Sequence, residues 1–173
     1  MEITFEMVEK KVRKKNFGVL STIGPSARVQ SSAVQYAVST RKSGFALYVL
    51  TDRTYVKVRN IKQNPKVSFV IPFPHHILRF IPAPTVSFQG TADILPFDDP
   101  LARDAYSSRS QKRMIRFTEG SKHRETAVFL RLTPIGKLTC FGLGIKLTVM
   151  MKEPASALYA VQLPSERSRR TVE

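Results

Sequence analysis

Lys57 is the residue whose type and position point most directly to ligand chemistry. The sequence places it in the first turn of a short helix, where free backbone N–H groups and the helix dipole favour an anion. Its ammonium adds a full positive charge, and Arg53 and Arg59 lie close by in the sequence. This pattern predicts a phosphate site, and a solvated basic helix face is the alternative that the residues leave open.

Three consecutive polar residues form the second candidate group. Gln30, Ser31 and Ser32 begin a strand whose remainder is largely apolar. Polar side chains at such a place face either solvent or a ligand with hydrogen-bonding edges. Together with Lys57 they predict two walls of one binding site.

The residues give little support to metal or nucleophilic chemistry. His75 and His76 are adjacent, so their side chains point apart on a strand or loop, and the nearest carboxylate in the sequence is Asp93. Cys140 lies in an apolar segment, which indicates a buried side chain, and the sequence identifies no partner for His123. We therefore predict no metal site and assign no catalytic residue, which is expected where a cofactor supplies the chemistry.

Short runs rich in β-branched and aromatic residues, separated by turn formers, predict a mainly β protein. Strands are expected over residues 17–23, 28–38, 45–50, 66–71, 85–95 and 127–132, with further candidates at 137–141 and 159–163. Because closure removes exposed sheet edges, these strands predict a closed or partly closed antiparallel barrel. Side chains fill the interior of a small barrel, so a ligand is expected at a rim, on the outside or between subunits.

Few helices accompany the strands. Apolar residues recur at helical spacing within residues 3–15, which predicts an amphipathic surface helix. A short helix is expected within residues 51–64, with Thr51 or Asp52 as its N-cap and Pro65 ending it. The remaining expectations are a helix start at Pro100, a helix over 111–117, an ordered proline-rich loop from Pro72 to Pro84, and a polar tail over 164–173.

Length and composition bound the class of protein. The chain has 173 residues, of which 42% are apolar and 24% charged, so one globular domain over residues 1–173 is expected. Cys140 is the only cysteine, which excludes an intramolecular disulfide and predicts a reducing cytoplasm. Residues 1–15 lack the apolar core of a signal peptide, and prolines and basic residues interrupt the apolar stretch 67–88, so we expect no membrane span.

The net charge of +15 is unevenly distributed. Residues 10–92 hold fourteen basic residues and one acid, giving 14 − 1 = +13, while the rest of the chain gives 14 − 12 = +2. Such a field attracts nucleic acid, an acidic membrane or a phosphorylated small molecule. A nucleic-acid-binding barrel is therefore the alternative of another class, although the strand aromatics that would stack on bases alternate as core residues do, and we do not expect this partner. These aromatics are Tyr36, Phe45, Tyr48, Phe69 and Phe88.

Three segments resemble a known family. They read NFGVLSTIGPSARVQSSAVQYAV, FALYVLTDRTYVKVRNIKQNPKVSFVI and VSFQGTADIL, and they lie within residues 16–95. They are similar to the pyridoxamine 5′-phosphate oxidase-like flavin-binding split barrels, most specifically at 57–61 and 64–68. The resemblance implies a six-stranded antiparallel split barrel that forms a homodimer, with a flavin in each of two clefts between the subunits.

The resemblance also implies which residues contact the flavin. The segment from Gln30 to Ala33 matches one that lies along the ring and ribityl chain, and Lys57 matches the lysine that grips the phosphate. The cofactor-binding residues predicted in this way are Gln30, Ser31, Ser32, Ala33, Leu50, Thr51, Arg53, Tyr55, Lys57 and Gln89.

FMN is the expected cofactor, with a 5-deazaflavin as the alternative and haem as a further group that some relatives bind. A deazaflavin has an acidic tail that the basic half of the chain would suit. Tyr55 and Val56 stand where relatives often carry serine and arginine, or an arginine alone, so we expect either a lower affinity for the phosphate or substitution by Arg53. The chain contains no tryptophan and so lacks the signature of true pyridoxamine phosphate oxidases. We therefore expect a flavin-dependent oxidoreductase that acts on another substrate.

Overall fold

Nine strands form one antiparallel sheet. The computed structural model describes residues 3–74 and 82–164. The strands are β1 (Phe17–Ile23), β2 (Val29–Gln35), β3 (Ala37–Val38), β4 (Leu47–Asp52), β5 (Lys66–Pro72), β6 (Thr85–Pro96), β7 (Ala127–Pro134), β8 (Lys137–Phe141) and β9 (Leu158–Gln162). Their order is β2-β1-β5-β6-β7-β4-β3, and β8 pairs with β6 and β9. The mainly β antiparallel prediction is confirmed, with nine strands in place of six.

The chain bends at Tyr36, and this bend lets the sheet curve into a split barrel. Tyr36 separates β2, at one end of the strand order, from β3, at the other end. Its buried hydroxyl donates to the carbonyl oxygen of Val12 at 3.0 Å, and its N–H donates to the carbonyl oxygen of Asn16 at 2.8 Å. The bond to Asn16 continues the β1–β2 ladder by one residue, and the single strand expected over 28–38 divides at Tyr36 into β2 and β3. Among the described residues β2 and β4 approach each other without a ladder, which leaves an opening in the barrel wall.

Two helices contribute side chains to the barrel interior. The helices of the described chain are α1 (Phe5–Val12), α2 (Val56–Gln63), α3 (Pro100–Ala105), α4 (Arg109–Glu119) and α5 (Leu147–Lys152). Phe5 and Val8 of α1, and Val58 and Ile61 of α2, belong to the interior cluster that includes Phe69. Burial of this apolar surface is what holds the short helices in place, since helices of eight residues are marginal on their own.

The expected N-cap of α2 is wrong. Thr51 and Asp52 belong to β4, and the helix begins after Tyr55. The carboxylate of Asp52 instead accepts bonds from the Thr54 N–H at 2.8 Å and the Thr54 hydroxyl at 2.7 Å, which form a turn between strand and helix. The end of α2 is as expected, because Asn64 before Pro65 has extended backbone angles.

Helices α3 and α4 cover the outer face of the sheet at β3, β4 and β7. Tyr48 and Phe129 of the sheet pack there with Tyr106 and Ile115, and Phe129 stacks on Phe97 with ring centroids 5.8 Å apart. The capping box of Ser108 and Gln111 extends α4 beyond the expected residues 111–117. This outer layer positions one wall of the site.

Two predictions lie outside the described residues. Most of the proline-rich loop, with His75 and His76, falls within residues 75–81, and the polar tail falls almost wholly within 165–173. Within the described ranges, no helix combines the length and apolar character needed to cross a bilayer.

Candidate functional site

The opening between β2 and β4 contains two adjoining cavities. The first, which we call the α4 cavity, has a volume of about 390 Å³ and lies between β2, the end of β4 and α4. The second, the α2 cavity, has a volume of about 410 Å³ and lies between β2 and the start of α2. Tyr55 and Lys57 line both cavities. Lys57 therefore stands where the two cavities meet.

Most of the predicted site residues surround these cavities. Residues Gln30, Ser31 and Ser32 line the α2 cavity. Residues Ala33, Leu50 and Thr51 line the α4 cavity. Tyr55 and Lys57 line both the α2 and the α4 cavity. The polar strand segment and the lysine, predicted to form two walls of one site, do face a common space.

Two predicted residues lie elsewhere. The side chain of Arg53 is exposed and lines neither cavity. Gln89 is exposed on β6, where it lines a separate groove with Ser68 and Ile135. Within one subunit the structure therefore does not bring Gln89 to Lys57.

Lys57 is poised to attract an anion. Its side chain is half-buried, and desolvation lowers the pKa of its ammonium. The ammonium nitrogen lies 4.8 Å from the centroid of the Tyr55 ring, so a cation–π contact holds it at the mouth of the site. No side chain of the described residues caps α2, so the N–H groups of Val56 and Lys57 are available, while the Val58 N–H donates to the carbonyl oxygen of Tyr55 at 3.0 Å. A phosphate bound beside Lys57 would compensate, through its negative charge, for the water that the ammonium has lost.

Ser32 carries an unsatisfied polar atom in the α2 cavity. Its hydroxyl oxygen is buried and has no hydrogen-bond partner among residues 3–74 and 82–164. By contrast, the hydroxyl of Ser31 pairs with that of Ser21 at 2.8 Å. A buried hydroxyl without a partner costs free energy, and a ligand that bonds to it removes this cost.

Asn60 organises the polar wall of the α2 cavity, and sequence reasoning missed it. The side chain is 3% exposed, and its amide nitrogen donates to the hydroxyl of Thr22 at 3.0 Å and to Oε1 of Gln30 at 2.9 Å. Because Oε1 of Gln30 accepts this bond, its amide NH₂ group is left to donate to a ligand. The available signal was a polar residue between Val58 and Ile61, the apolar pair of α2.

The far wall of the α4 cavity also escaped the sequence prediction. Met114, Phe117 and His123 line it, and Phe117 is 74% exposed. Asp52 lines the same cavity, and hydrogen bonds from Thr126 and Thr54 lower the pKa of its carboxyl, so it stays charged. No sequence signal places α4 beside β2, since only the tertiary fold joins these segments.

Tyr106 secures the strand that carries Leu50 and Thr51. Its buried hydroxyl accepts from the Leu50 N–H at 2.8 Å, and burial raises its pKa. Replacing Tyr106 by phenylalanine is expected to lower the free energy of unfolding by about 1–3 kcal/mol, because the Leu50 N–H loses its partner. Urea unfolding measures this loss, and Tyr55→Phe at a half-exposed ring should stay within about 0.5 kcal/mol. An equal effect of the two changes would contradict the assignment.

Comparison with known proteins gives the chain a family. The sequence profile described as pyridoxamine 5′-phosphate oxidase matches residues 5–136. No curated protein matches the chain.

Solved structures share the architecture. HutZ, the haem storage protein of Vibrio cholerae, has a TM-score of 0.61 at 19% identity, covering 79% of this chain and 94% of that one. An FAD-binding protein of Mesorhizobium loti has a TM-score of 0.56 at 21% identity, covering 76% and 90%. An F420 reductase has a TM-score of 0.51 at 19% identity, covering 72% and 91%. The structural likeness shows a common split-barrel fold, and since the profile spans most of the sequence, the chain belongs to the pyridoxamine 5′-phosphate oxidase family.

Proposed function

We propose that this protein binds FMN in the opening between β2 and β4 and acts as a flavin-dependent oxidoreductase. The observation that carries the proposal is the meeting of a half-buried ammonium, at Lys57, with an unsatisfied buried hydroxyl, at Ser32, around one cavity. A phosphorylated ligand with a polar chain satisfies both groups. Membership of the family supports a flavin as that ligand.

The residues present fit such a group. Lys57 and the uncapped start of α2 would hold the phosphate, and the Gln30 amide and the Ser32 hydroxyl would bond to the polar chain that follows it. When bound, the flavin supplies the capacity to accept and donate a hydride or electrons. Met114 and Phe117 would cover an apolar ring and exclude water from it.

The proposal includes a homodimer. Val29 of β2, next to the polar residues of this strand, is 68% exposed, so an apolar side chain is open to a second copy there. In a dimer, Gln89 would contact the flavin bound mainly by the other subunit, since it does not reach the cavities of its own subunit. Light scattering of the purified chain measures the mass, and a monomer at every concentration would refute this part. We further propose a cytoplasmic location, because the single cysteine, Cys140, is unpaired and buried.

The alternative function, a barrel that binds nucleic acid by stacking aromatic side chains on bases, is not supported by the burial of those side chains. The five strand aromatics that it requires are at most 8% exposed. They are Tyr36, Phe45, Tyr48, Phe69 and Phe88. Each packs in the core, so none is available to a nucleobase.

Ligand titration tests the proposed function. The full chain is purified, its absorbance is recorded, and it is titrated separately with FMN, a 5-deazaflavin and haem. We expect saturable FMN binding with a flavin absorbance band that remains after gel filtration. Preferential binding of the deazaflavin or of haem would replace FMN as the cofactor. A protein that binds none of the three would refute the proposal.

Ser32→Ala should affect binding and stability in opposite ways. Removing the unpartnered hydroxyl is expected to leave the free energy of unfolding unchanged or to raise it by up to about 1 kcal/mol. The same change is expected to weaken FMN binding by about 1 kcal/mol, because one hydrogen bond to the ligand is lost. Fluorescence titration and urea unfolding give the two values. Unaltered FMN affinity would remove Ser32 from the site.

A further inference from the structure

Four basic residues lie on the outward face of α4, and the one acid of this helix, Glu119, lines a cavity with two of them, Lys112 and Arg116. Arg109, Lys112, Arg113 and Arg116 are exposed and follow the spacing i, i+3, i+4 and i+7, which places them on one helix face. The opposite face, which contains Ile115, packs on the sheet. We call these four cations the basic ridge.

The basic ridge is unfavourable for the isolated helix. Like charges three and four residues apart repel each other, and the ridge contains such pairs throughout. No ridge residue forms an ion pair with any described residue, and Glu119, the only acid of α4, is paired with Arg103 at 2.5 Å. An anionic partner would relieve this repulsion.

Further cations lie at the start of the ridge. A cavity of about 450 Å³ separates the first turn of α4 from the residues after α1, and Lys14 and Lys15 line it. The same cavity is lined by Ser107, Ser108 and Gln111, which are hydrogen-bonding residues. Two further cations therefore lie across a polar cavity from the first turn of α4, although no ridge residue lines that cavity.

We propose that the basic ridge binds the phosphate backbone of a nucleic acid without reading its bases. Three of its four cations are arginines, whose guanidinium groups match phosphate geometry. Arg109 and Arg116 are about 10 Å apart along the helix axis, which is about three steps of 3.4 Å along one strand of a duplex, so the ridge spans about four phosphates. This function is separate from flavin binding, because the ridge residues line neither the α2 nor the α4 cavity.

A membrane surface fits this face less well. A helix that lies on a bilayer presents apolar side chains that enter the acyl boundary. The ridge presents none, and the exposed apolar residue of α4, Phe117, lines the α4 cavity at the side of the helix. The polar cavity beside Lys14 and Lys15 likewise suits a nucleic-acid strand better than a flat lipid surface.

Salt-dependent binding of a labelled oligonucleotide tests the proposal. Fluorescence anisotropy of the full chain with a random-sequence duplex DNA should give a log–log salt slope of about −4, from about −0.9 for each of four phosphates. Replacing all four ridge cations by glutamine should weaken binding by roughly 10-fold or more at low salt. The helix should persist, because glutamine forms helices well and the repulsion is gone. Circular dichroism and FMN affinity check that the variant is folded.

A charge-matched variant is the control. Arg28, Lys42, Lys62 and Lys66 are exposed and lie outside the ridge, so replacing them by glutamine removes the same charge. This control should retain most of the affinity. Equal losses in the two variants would show general attraction to a basic protein and overturn the assignment. Tighter binding to phosphatidylserine vesicles than to DNA, lost in the ridge variant, would assign the ridge to membranes and overturn the choice of nucleic acid.

Discussion

Lys57→Ala is expected to weaken FMN binding by about 1.5–3 kcal/mol, the range for a charge-assisted hydrogen bond to an ionised group. Lys57 lines both cavities of the opening, and its partly desolvated ammonium lies 4.8 Å from the centroid of the Tyr55 ring, at the residue that precedes α2. The change removes this charge while leaving the helix intact, since alanine is the best helix former. Fluorescence titration with FMN, at matched ionic strength, gives the loss directly.

The control for Lys57 lies on the same helix. Lys62 of α2 is exposed and lines neither cavity, so Lys62→Ala removes an equal charge away from the site. Its effect on FMN affinity should stay within about 0.5 kcal/mol, as expected of an exposed charge. Riboflavin, which lacks the phosphate, should bind wild type and Lys57→Ala alike. A Lys57→Ala protein with wild-type FMN affinity would show that Lys57 does not bind the FMN phosphate.

Gly90→Ala is expected to destabilise the fold by about 3 kcal/mol, lowering the melting temperature by roughly 6–12 °C. Gly90 lies on β6 between Val67 of β5 and Pro134 of β7. A Cβ atom at this position would come within 2.2 Å of the backbone carbonyl oxygen of Thr133. Backbone cannot rotate away as a side chain can, so β6 and β7 would have to separate. Thermal and urea unfolding measure the effect.

Gly120→Ala is the matched control for this contact. Gly120 follows α4 with a φ of −84°, and its nearest atom to an added Cβ is the Arg116 carbonyl oxygen at 3.6 Å. The substitution should change the free energy of unfolding by no more than about 0.5 kcal/mol. If Gly90→Ala were equally mild, the close approach of β6 to β7 would be wrong.

Local pattern predicted most strands because burial alternates along them. β1 and β8 have the expected bounds, and the alternation of buried and exposed positions in β5 is the pattern on which the prediction depended. The break at Tyr36 was not predictable in this way. The bond from its hydroxyl to the Val12 carbonyl oxygen is a tertiary contact with no local signature.

The polar half of the candidate site could be predicted, and the apolar half could not. Gln30 to Ser32 and Lys57 stand out because polar or charged types occur where the neighbouring residues are apolar. Met114 and Phe117 look like ordinary apolar residues of an amphipathic helix, so nothing distinguished a cavity wall from core packing.

Summing charge by region concealed the basic ridge. The residues outside 10–92 have a net charge of only +2, because acids such as Asp98 and Asp104 offset the cations of α4 in the sum. Helical geometry then collects those cations on one face of α4, whereas Asp98 and Asp104 lie outside that helix. A surface potential depends on this three-dimensional arrangement, which a total over sequence segments does not report.

The opening beside β2 lets the main chain itself take part in recognition. Among the described strands β2 pairs only with β1, so alternate peptide groups along it point away from that ladder. Every residue type except proline presents the same donor and acceptor there. A ligand bound in this opening would thus meet main-chain groups that do not depend on side-chain identity, and substitutions along β2 would leave those groups in place.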